Sequence, residues 1–211
     1  MKTALFRWLP LALLAAAIGS LPAAAGQAPQ GKPQTIRGRI AAMEKGALKV
    51  TTSAGDVLVK FADDVRIGAV EAAKLSDIKD SSYVGATAVK QSDGSLKALE
   101  VHIFPESARG TGEGHRPWDL EPGSTMTNAN VEKIESATVD KAQGQLLTMK
   151  YKDGEQKIFV PSNAPVVKNV AGDRSMLKTG AGVYIAAVRG EDGSLTATRI
   201  AVGLNGIMPP M

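Results

Sequence analysis

Asp93-Gly94-Ser95-Leu96-Lys97-Ala98-Leu99-Glu100-Val101-His102-Ile103 reads as a turn followed by an alternating strand. Ninety-nine positions later stands Asp192-Gly193-Ser194-Leu195-Thr196-Ala197-Thr198-Arg199-Ile200-Ala201-Val202. Working outward, the same offset carries Leu48 onto Leu147, Gly55 onto Gly154, Val84 onto Val183 and Ala88-Val89 onto Ala187-Val188. Ser76 and Lys79 fall on Ser175 and Lys178. Residues 36–104 therefore match 135–203 without a gap, which implies two copies of one fold.

Within the first copy, strands are expected at Ile36–Met43, Leu48–Thr52, Val57–Phe61, Tyr83–Lys90 and Ser95–Phe104. A short helical stretch is expected at Glu71–Leu75. The second copy predicts strands near 133–140, 146–151, 155–160, 182–189 and 194–202, with a loop or helix at 170–178. Three strands, a short helix and two strands is the order of an OB-type barrel. The expected class is all-β with short helices: two tandem OB-like five-stranded barrels, one over 35–104 and one over 131–204. In the last strand of the first copy Leu99, Val101 and Ile103 share one face, and Glu100 and His102 share the other. The second copy keeps apolar Ile200 and Val202 but places Arg199 and Ala201 where Glu100 and His102 stand. A kept face and a changed face predict that Glu100 and His102 point away from the core.

The flanks differ in character. Lys2 and Arg7 precede an apolar run of about 11 residues, Trp8 to Ile18, and Ala23-Ala24-Ala25 supplies small residues for cleavage. This predicts a signal peptide over 1–25 rather than a membrane anchor, which needs roughly 20 apolar residues. Residues 26–34 read as a flexible leader and 205–211 as a tail. Loss of 1–25 would take 25 basic and 21 acidic side chains to 23 and 21, a nearly neutral chain. Nucleic acid is not an expected partner, and no later stretch is apolar enough to span a bilayer. The chain has no cysteine, which excludes disulfides, thiolate metal sites and thiol catalysis. A periplasmic or secreted location follows.

Residues 105–130 have no counterpart in the repeat and read as a connecting loop. They hold Arg109, His115, Arg116, Trp118 and Asp119, spaced by Gly110, Gly112, Gly114 and Pro117. A pure spacer needs no tryptophan. Two roles fit: Trp118 docks the loop across the seam between the copies, or Arg109, His115, Arg116, Trp118 and Asp119 form a surface for a ligand or partner.

Metal binding would rest on the only two histidines, His102 and His115. Together with Glu100, or another carboxylate such as Glu113 or Asp119, they could supply a zinc site. No His-x-His, His-x-x-x-His or acidic calcium loop is present. Ser76-Asp77-Ile78-Lys79 and Ser175-Met176-Leu177-Lys178 spell Ser-x-x-Lys, and Lys178-Thr179-Gly180 spells Lys-Thr-Gly. Penicillin-binding enzymes use both motifs as separate elements, whereas Lys178 would serve both at once. The Ser-x-x-Lys pair recurs at the repeat offset, which makes it a feature of the fold. Gly110-x-Gly112-x-Gly114 lacks the setting and the following Lys-Ser/Thr of a phosphate loop.

The repeat resembles exported bacterial small β-barrel domains of uncharacterised function. Val101-His102-Ile103-Phe104-Pro105-Glu106 and Arg109-Gly110-Thr111-Gly112-Glu113-Gly114-His115-Arg116-Pro117-Trp118-Asp119 resemble exported proteins often labelled "metal ABC transporter permease". A permease needs several membrane spans, so that label implies at most association with a transport system. The expected function is a non-enzymatic, exported binding or adaptor protein without cofactor, for a periplasmic protein or small ligand. The alternative is a metal-handling accessory that uses His102 and His115 with zinc or a similar ion.

Overall fold

The computed structural model describes residues 31–139 and 141–210. The expected signal peptide and residues 26–30 of the leader lie outside the described residues. The chain is all-β, as its alternation predicts. Its strands are β1 Lys32–Glu44, β2 Ala47–Thr52, β3 Gly55–Lys60, β4 Arg66–Ala73, β5 Tyr83–Lys90, β6 Leu96–Ile103 and β7 Gly114–Pro117. They continue with β8 Ser124–Val139, β9 Ala142–Tyr151, β10 Gly154–Pro161, β11 Val166–Ala171, β12 Gly182–Arg189 and β13 Leu195–Gly203. The helices are single 3-10 turns at Leu75–Asp77, Glu106–Ala108, Arg174–Met176 and Leu204–Gly206.

All thirteen strands belong to one hydrogen-bonded sheet, and its pairings mix the two copies. β1, β2 and β3 of the first copy close with β12 and β13 of the second: β3 runs parallel to β13, and β12 runs antiparallel to β1. β8, β9 and β10 of the second copy close with β5 and β6 of the first. Among the described residues no pairing joins β1–β3 to β5–β6. The expectation that 35–104 and 131–204 each close upon themselves is therefore corrected: the copies exchange their last two strands.

The crossing strands give the physical reason. β4 holds eight residues in extended conformation, roughly 26 Å at a strand's rise per residue, and contains no turn. It pairs with β13 on one side and β11 on the other, so it carries the chain out of one circuit and into the next. β11 makes the reciprocal crossing, antiparallel to β4 and parallel to β6. The helix expected at Glu71–Leu75 is mostly the end of β4, with Leu75 opening a 3-10 turn. The ladder with β11 outweighs the modest helix preference of Glu71-Ala72-Ala73.

Each circuit has its own core. Ile36, Ile40, Leu48, Val50 and Val59 pack on Val183, Ile185 and Ile200 in the first. Val84, Ala86 and Val101 pack on Ala129, Val131, Leu147, Met149 and Ile158 in the second. Ile78 and Leu177, equivalent by the repeat offset, plug opposite cores, as the exchange requires. A bulge in the β5–β6 ladder puts Ala98 rather than Leu99 on the core side with Val101. Val70, Val167, Tyr184 and Ala201 form a third cluster at the seam between the circuits.

Two further expectations change. The unrepeated segment is not a plain loop, because β7 and the first half of β8 lie inside 105–130 and extend the sheet beside β5. The leader is shorter than expected, since Lys32, Pro33 and Gln34 already pair with Arg189, Val188 and Ala187.

Candidate functional site

The seam leaves a cleft of about 260 Å³ around the β4–β11 crossing. Its floor is backbone and small apolar groups: Gly68, Ala69 and Val70 of β4, Val170 of β11, and Ile200 and Ala201 of β13. β5, β6 and β8 contribute Gly85, His102, Met126 and Asn128. The unrepeated segment forms the cover with Thr111, Gly112, Arg116 and Trp118. The repeat builds the floor, and the one segment outside the repeat closes it.

Register places the polar groups. Opposed residues in a ladder share a face. Glu100 lies opposite Thr87, Thr87 opposite Met126 and Met126 opposite Arg116. His102 lies opposite Gly85, and Gly85 opposite Asn128. Gly85 is required by close approach, because a Cβ there would meet Asn128 Oδ1 at 2.6 Å and Phe104 at 3.1 Å. At the equivalent place in the other copy Tyr184 fills the space with an aromatic ring.

Glu100 and His102 do face away from their circuit's core, but they do not face solvent. Their side chains are 1% and 2% exposed, because the other circuit packs over this face. This corrects the expectation of a surface pair. His102 Nε2–H donates to Glu100 Oε2 at 2.8 Å, and the Thr87 hydroxyl donates to Glu100 Oε1. Pro210 carbonyl lies 3.4 Å from the same His102 nitrogen. Burial works against a charged imidazole, but the Glu100 carboxylate outweighs it by charge and hydrogen bond. Asn169 and the Pro210 carbonyl add to this, so the proton affinity of His102 is raised. The Asn169 side chain does so without reaching hydrogen-bond geometry.

His115 is elsewhere. It opposes Thr127, which opposes Ala86, so it belongs to the other face of the sheet from His102. Its Nδ1 is 2.8 Å from Thr127 Oγ1, and partial burial lowers its proton affinity. The structure thus pairs Glu100 with His102 but does not bring His115 to them. Among the described residues no group of three or more His, Asp or Glu side chains is placed to hold a metal ion.

The other candidate residues divide between anchoring and lining. Arg109 is an anchor: it binds both Glu106 oxygens at 2.6 Å, the Asn130 side chain, and Ser81 carbonyl at 3.0 Å. Asp119 reaches across the seam to Arg37 of β1 at 2.8 Å, and that guanidinium holds its carboxyl below the usual range. Arg116 and Trp118 line the cleft and stack, with the guanidinium 5.6 Å from the indole centroid. Arg116 also donates to Gly112 carbonyl at 2.7 Å, in a turn where Gly112 holds φ of +58°. Tyr83 hydroxyl and Asn128 Nδ2 both donate to Thr111 carbonyl at 3.1 Å and pin the cover down. Burial, with Glu113 nearby, pushes the Tyr83 phenol up to about 12, so it stays a donor.

Sequence reasoning missed Asn128, Asn169 and Arg199. Asn128 sat in the segment read as a loop. Asn169 and Arg199 carried one usable signal: they differ from Val70 and Glu100 at the repeat offset, as expected where two copies surround one asymmetric site.

The polar chemistry of the cleft is incomplete. Among the described residues, His102 Nδ1, Trp118 Nε1, Asn128 Oδ1 and Asn169 Oδ1 are buried without a hydrogen-bond partner, and all four residues line this cleft. An unpaired buried polar group costs about 1–3 kcal/mol, so four around one cavity mark a place built for something polar. Against known proteins, the chain matches no family model, and neither a curated protein nor a solved structure matches it significantly.

Proposed function

We propose that the protein is an exported, non-enzymatic binding protein whose ligand site is the seam cleft. The single observation that carries this reading is the convergence of four unpartnered polar groups on one largely apolar cavity. A bound polar ligand would satisfy them. The cleft lining has no cysteine, serine, lysine or carboxylate, and the carboxylate behind it is engaged by His102 and Thr87. That lining suits holding a molecule rather than converting it. Export rests on the basic start, apolar run and Ala23-Ala24-Ala25 of the sequence.

The two closed strand circuits fit a pair of small OB-like barrels with exchanged strands. In this reading the second copy does not add a second site. It supplies the other wall of the one site, and the segment between the copies supplies the cover.

The test is a small-fragment screen by protein NMR, comparing wild type with Gly68→Leu. Gly68 lines the cleft, and a Cβ there meets only Val170 carbonyl at 3.9 Å, so the variant fills the cavity without a backbone clash. Expected hits shift the Trp118 indole resonance and lose that effect in Gly68→Leu. Hits scattered over the surface and indifferent to Gly68→Leu, or no hits at all, would reject the reading.

A further inference from the structure

We propose that the cleft selects a small hydroxy-carboxylate with an apolar body; this rests on the binding reading above and names its ligand class. Charge comes first. Two guanidiniums, Arg116 and Arg199, line the cleft, and neither forms an ion pair with a carboxylate among the described residues. Arg116 is held by Gly112 carbonyl and the Trp118 face, and Arg199 stacks on Tyr184 with 6.0 Å from guanidinium carbon to centroid. Both are therefore oriented while their charge stays unneutralised. No aspartate or glutamate lines the cavity. Trp118 Nε1–H adds a buried donor that has no acceptor. A planar carboxylate matches guanidinium forks and an indole N–H.

Asn128 asks for the opposite partner. Its Nδ2 is already used on Thr111 carbonyl, so its Oδ1 is the free end and accepts only. Asn169 is turned to His102 instead, whose proton affinity it raises. A ligand that satisfies Asn128 Oδ1 must donate. An ammonium would donate, but it would sit beside two arginines with no acid to balance it. A hydroxyl donates without adding charge. The apolar floor of Ala69, Val70, Val170 and Ile200 then takes the body of the molecule. A cavity of about 260 Å³ suits a small acid.

The same asymmetry accounts for the repeat. Glu100 stands at the position of Arg199, and His102 at that of Ala201. Had both copies kept Glu100, a carboxylate would stand where the guanidinium now lines the cleft. The second copy has exchanged the carboxylate for a cation and the imidazole for open space.

The experiment follows the Trp118 indole N–H in proton–nitrogen NMR titrations of the whole chain, with the resonance assigned by its loss in Trp118→Phe. The probes are mandelate, phenylacetate (no hydroxyl), mandelamide (no charge), phenylglycine (ammonium for hydroxyl) and phenyl phosphate. Mandelate is expected to bind saturably, with mandelamide weaker by about tenfold or more, since a charged hydrogen bond contributes that much. Phenylacetate and phenylglycine are each expected to be weaker by about fivefold. Arg199→Gln and Arg116→Gln should each weaken mandelate by about fivefold or more and leave mandelamide unchanged. Mandelamide or phenylglycine binding as tightly as mandelate would overturn the proposal and leave the binding reading standing. Tighter binding of phenyl phosphate would overturn the carboxylate class. If no probe moves the resonance the proposal falls, and the fragment screen decides the binding reading separately.

Discussion

Glu100 Oε2 and His102 Nε2 meet at 2.8 Å on one strand face, and both side chains are almost wholly shielded from water. A strand places residues two apart on the same face, so the pair is local; its burial is not, because the opposite circuit and the Pro210 carbonyl cover it. A buried charge is tolerated when it is paired and hydrogen-bonded, and here Thr87 completes the carboxylate's second oxygen.

This pair predicts a pH dependence. The proton affinity of His102 in the folded chain is raised above the ordinary value of 6.5. Its contribution to stability is therefore fully present below about 6.5 and is lost as pH rises through the raised folded value. Glu100→Gln removes the charge that raises it. The variant should lose about 1–3 kcal/mol at low pH and show a flatter stability profile above pH of about 6.5. Urea unfolding across that range checks it, and identical slopes in variant and wild type would refute it.

Trp118 is half-buried and stacked under Arg116, its N–H donates to Ser124 carbonyl, and the Ser124 hydroxyl donates to Trp118 carbonyl. Trp118→Ala should lower stability by about 1–2 kcal/mol, less than for a fully buried indole. It should also weaken fragment binding at the cleft, read from the backbone amide of Gly68. An unchanged melting curve with lost binding would assign the indole to the ligand alone.

Two glycines of the cleft should respond oppositely to the same change. Gly85→Ala puts a Cβ 2.6 Å from Asn128 Oδ1 and should cost about 1–3 kcal/mol. Gly68→Ala meets nothing closer than 3.9 Å and should be neutral, or stabilising by up to about 1 kcal/mol. Parallel thermal melts of the two variants decide the matter. Equal destabilisation would mean that Gly85 is not the close approach described.

Strand exchange predicts a specific crosslink. Thr35 of β1 and Ala186 of β12 are register partners, although they belong to different copies. Paired strand residues lie about 4.5–5.5 Å apart at Cα, within disulfide range. The chain has no other cysteine to compete. Thr35→Cys with Ala186→Cys should oxidise within one molecule in dilute solution, seen as a faster-migrating monomer on non-reducing gels. Disulfide-linked dimers alone would contradict the exchange.

The repeat, the five strands of each copy and the unusual segment between the copies were legible in the sequence, because alternation, turn residues and offset identity are local signals; β4, β7 and β11 were not among the expected strands. Val101 and Ile200 could be assigned to cores for that reason. Arg116 and Trp118 could be singled out because a tryptophan among glycines and prolines is at odds with a spacer. Pairing partners could not be read. β4 is an extended stretch with the same composition whether the chain folds back on its own copy or crosses to the other, and only the long-range ladders with β13 and β11 choose. The same choice buries Glu100 and His102 and brings Asn128, Asn169 and Arg199 to one cavity. By itself the sequence determined most of the strands. The tertiary structure decided which strands meet, because a hydrogen-bonded ladder depends on backbone groups that every residue shares, and side-chain pattern marks a strand's faces but not its neighbour.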